Sequence, residues 1–366
     1  MMDHLKVECL LPIPSKLLIW YDHVARKLPW RIDHSSYRVW VSEVMLQQTR
    51  VEAVIPYFER FMSALPNLAA LAHASEDQLL KLWEGLGYYS RVRNLQRAAK
   101  EVLRSGRKEL PQDYQALLSL PGIGAYTAGA IASIAFGIQV PAVDGNVLRV
   151  LSRLFACGKD ISLPAIKHMF EEAARSLVPA ERPGDFNQAM MELGATVCLP
   201  HTAPHCDVCP ISDYCRAHLN GNAEDYPYKA PKKPRVIEER TILLVIACGH
   251  VLLQRRPTKG LLAGMWEFPN YLGWFEDEEK QALLIGLGMG NAPMRPLGES
   301  KHIFTHREWK LRGTLVMATD CIEVEGAIWA SGEDLNKKYA LPSAYQYFSK
   351  QLPKLFDLSM EEKWAR

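Results

Sequence analysis

The sequence predicts a protein of two domains, an all-α domain followed by a smaller α/β domain. A chain of 366 residues is longer than one ordinary hydrophobic core requires. Apolar residues recur at intervals of three and four as far as about residue 215, which is the helical period. A polar, proline-bearing linker follows, and short β-like runs come after it. We therefore expect a helical domain over residues 1–219, a linker over 220–235 and the second domain over 236–366.

The composition is that of a globular protein, with 48% hydrophobic and 23% charged residues. The net charge of +2 gives no global field for nucleic acid, so DNA binding would depend on locally placed cations and backbone amides. No apolar run reaches the length of a membrane span, and the first residues lack the layout of a signal peptide. Eight cysteines without a paired framework favour a reducing compartment, and we expect a cytoplasmic protein.

Within the helical domain, the segment Leu120–Ala128 (LPGIGAYTA) separates two helical patterns. Gly122 and Gly124 predict a tight hairpin with positive φ angles. A helix that begins near Ala125 would direct its free N–H groups towards an anion, and a DNA phosphate would fit without basic side chains. The structural alternative is an ordinary corner between two helices.

Four of the eight cysteines lie within eighteen residues at the end of this domain, in the pattern Cys198-x7-Cys206-x2-Cys209-x5-Cys215. One short loop with four thiolates can hold a single metal centre. A zinc ribbon usually has two Cys-x2-Cys pairs, and only one is present. The spacing favours a [4Fe–4S] cluster over residues 198–215, with a disulfide pair or chance clustering as the alternatives.

The second domain begins with TILLVIACGHVLLQRR, which predicts two short strands with a turn at Gly249–His250. Further β-like runs fall at 302–306 and 311–319.

The hairpin, Asp144 some twenty residues later and the four-cysteine loop together resemble the helix-hairpin-helix DNA glycosylases of the endonuclease III superfamily. Taken alone, Asp144 would more often be a helix N-cap; the resemblance implies that it faces the sugar of a base flipped out of the duplex. Lyase-type members carry a Schiff-base lysine where this chain has Tyr126, and no lysine lies between Glu109 and Lys159. This position resembles that of the MutY-type adenine DNA glycosylases.

Two further segments are similar to the opening signature of that family, Leu28–Arg31 (LPWR) and Val39–Val51 (VWVSEVMLQQTRV). The resemblance implies that Glu43 is the general acid for adenine N7, with a pKa raised by an apolar pocket. The alternative is a carboxylate on the wet face of a helix. Asp144 would stabilise an oxocarbenium-like sugar or bond to it transiently. Tyr126 and Asn146 would orient Asp144 and the attacking water.

The resemblance also implies a set of residues that contact DNA. Gln48, Leu86 and Tyr88 would fill the space left by the flipped base and probe the oxidised base. Gln188 would contact adenine together with Arg31, and of Tyr88 and Tyr89 one is expected to pack in the core. The DNA-contacting set of this domain is Trp30, Arg31, Gln48, Thr49, Leu86, Tyr88, Gly122, Gly124 and Gln188.

In the second domain, Gly260–Pro269 (GLLAGMWEFP) resembles a segment shared by the Nudix fold and the MutY C-terminal domain. Residues 276–290 lack the carboxylate spacing of the magnesium-binding Nudix helix, so this Nudix-like domain should recognise and not hydrolyse. Phe304-Thr305-His306 matches the family's Phe-Ser-His loop, which reads 8-oxoguanine, with threonine in place of serine. The cysteine loop also departs from the family, whose usual first spacing is Cys-x6-Cys.

We therefore predict a monofunctional adenine DNA glycosylase that acts on adenine opposite 8-oxoguanine and opposite G. It would carry a [4Fe–4S] cluster, bind double-stranded DNA as a monomer and be cytoplasmic and nucleoid-associated. One alternative is a lyase on oxidised pyrimidines, which the missing lysine opposes. A second is a binding-only lesion sensor, which the presence of Glu43 and Asp144 opposes, and a third, a fused Nudix hydrolase, lacks the magnesium helix.

Overall fold

The computed structural model describes residues 11–200, 202–231 and 233–357, which form two compact units. The first contains the described residues up to 73 and from 93 to 231. The second contains residues 74–92 and 233–357. Residues 74–92 thus pack with the second unit, although they lie inside the predicted helical domain. The domain limits 1–219, 220–235 and 236–366 remain predictions about which segments fold independently.

From residue 11 to residue 231, the described chain forms helices and loops, as the sequence predicted. The α-helices of this part are α1 (Pro12–Val24), α2 (Ser36–Leu46), α3 (Val51–Ala64), α4 (Leu68–His73), α5 (Glu76–Leu82), α6 (Ser90–Arg104), α7 (Tyr114–Leu118), α8 (Ala125–Phe136), α9 (Gly145–Leu154), α10 (Pro164–Arg175), α11 (Pro183–Thr196) and α12 (Arg216–Leu219).

The core of the first unit holds α8, α9 and α11 close together, and glycines make that approach possible. A Cβ on Gly129 of α8 would lie 2.1 Å from the Pro141 carbonyl oxygen. A Cβ on Gly184 of α11 would lie 2.7 Å from the Ser133 carbonyl oxygen. Only glycine fits at such distances, so the segment that leads into α9 is fixed against α8. The apolar face of α9, with Val147, Val150 and Leu151, packs into the core shared with α1 and α11.

The second unit is built on a seven-stranded mixed sheet in the order β3-β2-β1-β6-β5, in which β4 pairs with β1 and β7 with β2. Of these pairs, β1 and β6 run parallel and the others run antiparallel. The strands are β1 (Val236–Ala247), β2 (His250–Arg255), β3 (Trp266–Glu267), β4 (Asn270–Leu272), β5 (Met294–Ile303), β6 (Arg307–Met317) and β7 (Ala327–Ala330). The helices from residue 233 onwards are α13 (Asp277–Gly286), α14 (Gly332–Lys337), α15 (Gln346–Ser349) and α16 (Leu352–Asp357).

Alternation along the long strand β1 creates two hydrophobic cores. Ile242, Leu244 and Ile246 face one core, which Tyr345 and Phe348 help to fill. Leu243 and Val245 face the other, which includes Leu284 of α13. The sheet is therefore covered on both faces, as expected for the predicted α/β class.

Two strand predictions differ from the structure at their ends. The turn between β1 and β2 is formed by Cys248 and Gly249, both with positive φ, and His250 already belongs to β2. The predicted run at 302–306 contains the end of β5 and the turn that joins it to β6. Turn geometry sets the first of these boundaries, because a two-residue hairpin turn with positive φ at both positions is of type I′ and places the next residue in the strand. No helix in the described residues is both long and apolar enough to cross a membrane.

Candidate active site

Glu43 places its carboxyl inside the first unit, because α2 is buried on nearly every face. The neighbours Val39, Val41 and Val44 are fully or almost fully buried, and Glu43 itself is 6% exposed. The side of α2 that carries Glu43 is therefore not exposed to solvent. Burial raises the pKa of Glu43 to about 7 against the opposing hydrogen bond from Tyr126, and the charge of Asp144 adds to the rise. This carboxyl is partly protonated at neutral pH.

Tyr126 lies in the first turn of α8 and connects that helix to Glu43. Its hydroxyl donates a hydrogen bond to Glu43 Oε2 and lies 3.4 Å from Met191 Sδ on α11. Burial raises the pKa of Tyr126 well above its usual value, and the charges of Glu43 and Asp144 act in the same direction. The hydroxyl therefore keeps its proton and fixes the orientation of the Glu43 carboxyl.

Asp144 is the N-cap of α9, the role that its position before an amphipathic helix suggested for the residue taken alone. Its carboxylate accepts hydrogen bonds from the Val147 backbone N–H at 2.7 Å and from Asn146 Nδ2 at 2.8 Å. Burial raises its pKa, while these two donors oppose the rise by favouring the ionised form. The positive end of α9 also favours a negative charge at this place. Glu43 and Asp144 thus meet in one site with different environments.

Asn146 is held in turn by Arg149, which sequence reasoning did not select. Arg149 Nη2 donates to Asn146 Oδ1 at 2.9 Å and to the Gly194 carbonyl at 2.6 Å, and its Nε donates to the Cys198 carbonyl at 2.8 Å. Arg149 follows Asn146 by three residues on α9, and this helical spacing was the signal available in the sequence. A continuous chain of hydrogen bonds therefore runs from Asp144 to the backbone of the cysteine loop.

Arg31, whose charge opposes the rise in the pKa of Glu43, is fixed by a buried carboxylate on α11. Glu192 is 1% exposed and accepts from Arg26 Nε at 2.5 Å and from Arg31 Nη2 at 2.9 Å. Burial pushes the pKa of Glu192 upwards, but the two guanidinium groups outweigh it and leave that pKa below the usual value. Gln188 lies one helical turn before Glu192 and is also buried. Sequence reasoning had not identified Arg26 or the Met191 contact.

The hairpin before α8 differs from the expectation at one glycine. Gly122 has a φ of +76°, and a Cβ there would lie 2.5 Å from Asn94 Cβ. Gly124 is instead extended, with φ −92° and ψ 178°, and serves as the N-cap of α8. A Cβ on Gly124 would meet no atom within 4 Å. The hairpin thus needs a glycine at 122 for its backbone, while the backbone at 124 is open to an approaching group.

The other predicted DNA-contacting residues of the first unit fall into two environments. Trp30 is buried and packs edge-to-face on Phe58, with 5.4 Å between ring centroids. Gln48 is exposed at the end of α2 with a φ of +62°, and Thr49 follows it half-buried. A left-handed residue other than glycine carries roughly 1–3 kcal/mol of strain, and such residues concentrate at functional sites.

In the second unit, the structure brings Tyr88 to the turn between β5 and β6. The Tyr88 hydroxyl lies 2.9 Å from Thr305 Oγ1, and Tyr88 is 48% exposed with a φ of +47°. Thr305 and His306 are exposed, whereas Phe304 packs edge-to-face on Trp309 at 4.9 Å. Leu86 is buried, and so is Tyr89, which is the tyrosine of the pair that packs in the core.

The four cysteines of the 198–215 loop are half-buried, and three of them pack against the core of the first unit. Burial raises the pKa of Cys209 to about 12, and the charges of Cys198, Cys215 and Cys206 add to the rise, so the four thiols lie within electrostatic range of one another. Arg153 Nη1 donates to Cys198 Sγ at 3.1 Å. Among the described residues, no three His, Cys, Asp or Glu side chains converge as ligands of one ion would. A four-cornered cluster spreads its thiolates more widely than a single ion does, and this donor set fits such a cluster.

Comparison with known proteins identifies the families to which the two parts of the chain are similar. Residues 41–179 match the HhH-GPD superfamily of base excision DNA repair proteins, and residues 241–351 match the NUDIX domain. A solved thermostable thymine-DNA glycosylase superposes with a TM-score of 0.53 at 27% identity, over 58% of this chain and 98% of its own. Its match supports the helical glycosylase fold of the first unit.

Two curated relatives match both parts of the chain. The adenine DNA glycosylase of Rattus norvegicus is 41% identical over 79% of this chain and 67% of its own length. The adenine DNA glycosylase of Schizosaccharomyces pombe is 33% identical over 88% of this chain and 85% of its own length. These matches, together with the paired carboxyls of the helical unit, identify a DNA N-glycosylase of base excision repair, and the chain belongs to the adenine DNA glycosylase family.

Proposed function

We propose that this protein removes adenine mispaired with 8-oxoguanine, and adenine opposite G, by hydrolysing the N-glycosidic bond without a lyase step. The observation that carries the proposal is the pairing of Glu43, whose pKa is about 7, with the N-cap carboxylate Asp144. Adenine is a poor leaving group as an anion, so its departure needs a proton donor that is still protonated near neutrality. Glu43 meets that need, and Asp144 supplies the negative charge.

In the proposed mechanism, Glu43 protonates N7 of the extruded adenine while the hydroxyl of Tyr126 holds its carboxyl in place. The bond between the base and the sugar then breaks, and positive charge develops on the sugar. Asp144 stabilises that charge or bonds transiently to the anomeric carbon, as the second carboxylate of a retaining glycosidase does. Asn146, braced by Arg149, keeps Asp144 in its orientation.

A tyrosine at the position of the Schiff-base lysine supports the monofunctional reaction. Tyr126 occupies the position at which lyase-type members carry lysine, and the sequence has no lysine between Glu109 and Lys159. The hydroxyl of Tyr126 is moreover engaged with Glu43. Hydrolysis by water therefore remains as the route that completes the reaction.

Substrate recognition is proposed for residues of each unit. Arg31, which Glu192 holds by an ion pair, would contact adenine. Gln188, one helical turn before Glu192, would contact it as well. Trp30, which precedes Arg31 in the sequence and is buried in the core, would support Arg31. The Gly122–Gly124 backbone would receive a phosphate at the start of α8. In the first unit, Gln48 and Thr49 would act at the extruded base pair. In the second unit, Leu86 and Tyr88 would probe the oxidised guanine, and the 304–306 turn, with Phe304, Thr305 and His306, would read it.

We further propose a [4Fe–4S] cluster held by Cys198, Cys206, Cys209 and Cys215. The cluster would tie the loop together, and it has no part in the chemical steps above. The packing of this loop and the bond from Arg149 to the Cys198 carbonyl support a structural role that extends to Asn146. The working protein is proposed to be a monomer on duplex DNA, associated with the nucleoid.

The test is single-turnover cleavage of a duplex that contains one 8-oxoguanine·A pair, with wild type beside Glu43→Gln and with or without alkali. We expect strand breaks only after alkali, and none from the variant. Breaks without alkali would show a lyase instead. Tight binding by the wild type with no release of adenine would favour a lesion sensor.

A further inference from the structure

Two exposed cysteines of the second unit lie side by side, although they are distant in sequence. Cys248 Sγ is 3.7 Å from the Thr319 carbonyl oxygen, and Cys321 Sγ is 3.4 Å from the Ala247 carbonyl oxygen. Each thiol thus reaches the backbone beside the other. The two side chains are themselves within hydrogen-bonding contact. Both are free thiols in the structure.

Neither cysteine is explained by packing or by turn chemistry. Cysteine is among the residues most often buried, whereas both of these are exposed. Cys248 and Gly249 form the turn between β1 and β2 with φ angles of +48° and +73°. Such turns favour asparagine, aspartate or glycine, so the cysteine at the first turn position is an unfavourable choice for the backbone alone.

The backbone on each side of Cys321 is fixed, which holds its thiol near Cys248. The Ala318 N–H donates to the Ile246 carbonyl at 2.9 Å, so the chain that leaves β6 stays on β1. Trp329 Nε1 donates to the Ile322 carbonyl at 2.7 Å and anchors the following residue. The short segment between these two anchors presents Cys321 to the turn.

We propose that Cys248 and Cys321 form a reversible disulfide when the protein meets a low-molecular-weight disulfide such as oxidised glutathione. The Cys248 thiolate attacks one sulfur of that oxidant, the oxidant's S–S bond breaks, and one glutathione thiolate leaves. The Cys321 thiolate then attacks Cys248 Sγ in the mixed disulfide and expels the second glutathione thiolate. Each cysteine gives up one proton, and the oxidant is reduced to two thiols.

The order of the two steps follows from the environment of Cys321. Burial raises the pKa of the Cys321 thiol, and the neighbouring Cys248 adds to the rise. Since the thiolate is the attacking form, the raised pKa slows attack by Cys321 on the external disulfide, and the proposal assigns the first attack to Cys248. The resulting cross-link would close a loop that contains β2 to β6 and the 304–306 turn. It would restrict the unfolded chain and raise the thermal midpoint of the second unit by several degrees.

The test incubates the full-length protein in glutathione buffers of increasing oxidised fraction, blocks free thiols with iodoacetamide and maps peptides by mass spectrometry without reduction. We expect a pair of peptides joined through Cys248 and Cys321, lighter by two hydrogen atoms than the two reduced peptides. Dithiothreitol should separate them. Cys157, a half-buried cysteine of the first unit, is the matched internal control and should remain unjoined.

Two variants, each of which replaces one of the two exposed cysteines by serine, complete the design. Far-UV circular dichroism verifies that each variant is folded. Cys321→Ser should accumulate a glutathione adduct on Cys248 that never resolves. Cys248→Ser should react more slowly with the oxidant than Cys321→Ser does. Adducts that persist on both cysteines of the wild type, or a pair that stays reduced where Cys157 reacts, would overturn the proposal.

Discussion

Asp144 combines a structural task with the proposed chemical one, and a single substitution separates the two. Asparagine is as good an N-cap as aspartate and can still accept from the Val147 N–H. Asp144→Asn should therefore fold normally and bind duplex DNA. Because the variant lacks the charge that is proposed to face the sugar, its single-turnover rate should fall by roughly 100-fold or more. A rate within a few-fold of wild type would contradict this role.

Glu43 should make the stability of the protein depend on pH in a defined direction. Its pKa is about 7 when folded and near its ordinary value of 4.5 when unfolded. The folded protein thus holds a proton that the unfolded chain has already lost between those values. Stability should fall as pH rises through this window and level off above pH 7.

The substitution Glu43→Gln removes that dependence. The variant should gain stability over wild type as pH rises from 5 to 8, by up to about 3 kcal/mol at the upper end. Thermal or urea unfolding across this range measures the difference. Asp113→Asn serves as the control, because it alters an exposed N-cap outside the site. Gln188→Glu would be unsuitable, because it adds a buried charge. A constant difference between wild type and Glu43→Gln would count against the raised pKa.

At this scale, the resemblance to a known family indicated the two carboxyls together with Tyr126 and Asn146, but not the bond between Tyr126 and Glu43 or the residues that hold this group in place. Glu43 and Asp144 lie in motifs that resemble a known family, so both were predicted by position. The bond from Tyr126 to Glu43 joins α8 to α2, and the contact with Met191 joins α8 to α11. Contacts between distant segments leave no periodic pattern in the chain. For that reason Arg26 and Met191 emerged only from the structure, whereas Arg149 lies three residues after Asn146 on α9, at a helical spacing that the sequence already offered.

Among the elements, the hairpin before α8 offers a test in which two neighbouring glycines should behave differently. Gly122→Ala places a Cβ against Asn94 at a positive φ, so it should lower both the thermal midpoint and DNA affinity. Gly124→Ala meets no atom of the protein, so its thermal midpoint should change little. The added methyl would nevertheless stand where a phosphate is proposed to approach, and DNA affinity should fall several-fold. Equal effects of the two variants on stability would contradict this account.

The packing of α9 against α11 should control Asn146 and hence Asp144. A Cβ on Gly194 would lie 2.6 Å from Asn146 Cβ. Gly194→Ala should destabilise the protein by roughly 1–3 kcal/mol, as overpacking does, and slow adenine release. Gly286→Ala, in α13, has open space around its Cβ and serves as the control. Normal excision by Gly194→Ala would show that this packing does not set the site.

For the molecule as a whole, residues 74–92 contain helical segments as the sequence predicted, but the sequence did not predict that they belong to the second unit. Their helical period was visible, and α5 forms as expected. Their membership of the second unit depends on contacts such as Tyr88 to Thr305 and Lys81 to the Leu335 carbonyl, which span more than two hundred residues. Neither periodicity nor composition encodes such pairs. The structural class of each domain was predictable from the sequence, but the assignment of residues 74–92 to the second unit was not.

The contact between Tyr88 and Thr305 leads to a prediction about lesion preference. Thr305→Val keeps the shape of the side chain and removes the hydroxyl. We expect excision opposite G to be nearly unchanged and the preference for 8-oxoguanine·A to drop about tenfold, the value of one good hydrogen bond. Thr305→Ser, which restores the family residue, should retain the preference. Parallel single-turnover rates on both duplexes measure it, and an unchanged ratio in Thr305→Val would exclude this role.

The central claim is that Glu43 delivers a proton to adenine from a carboxyl whose pKa is about 7. The most direct test is the single-turnover rate of the wild type on an 8-oxoguanine·A duplex across pH 5.5 to 9. The account predicts a rate that falls about tenfold per pH unit above the pKa, as the general acid loses its proton. A rate that stays level to pH 9 would contradict it.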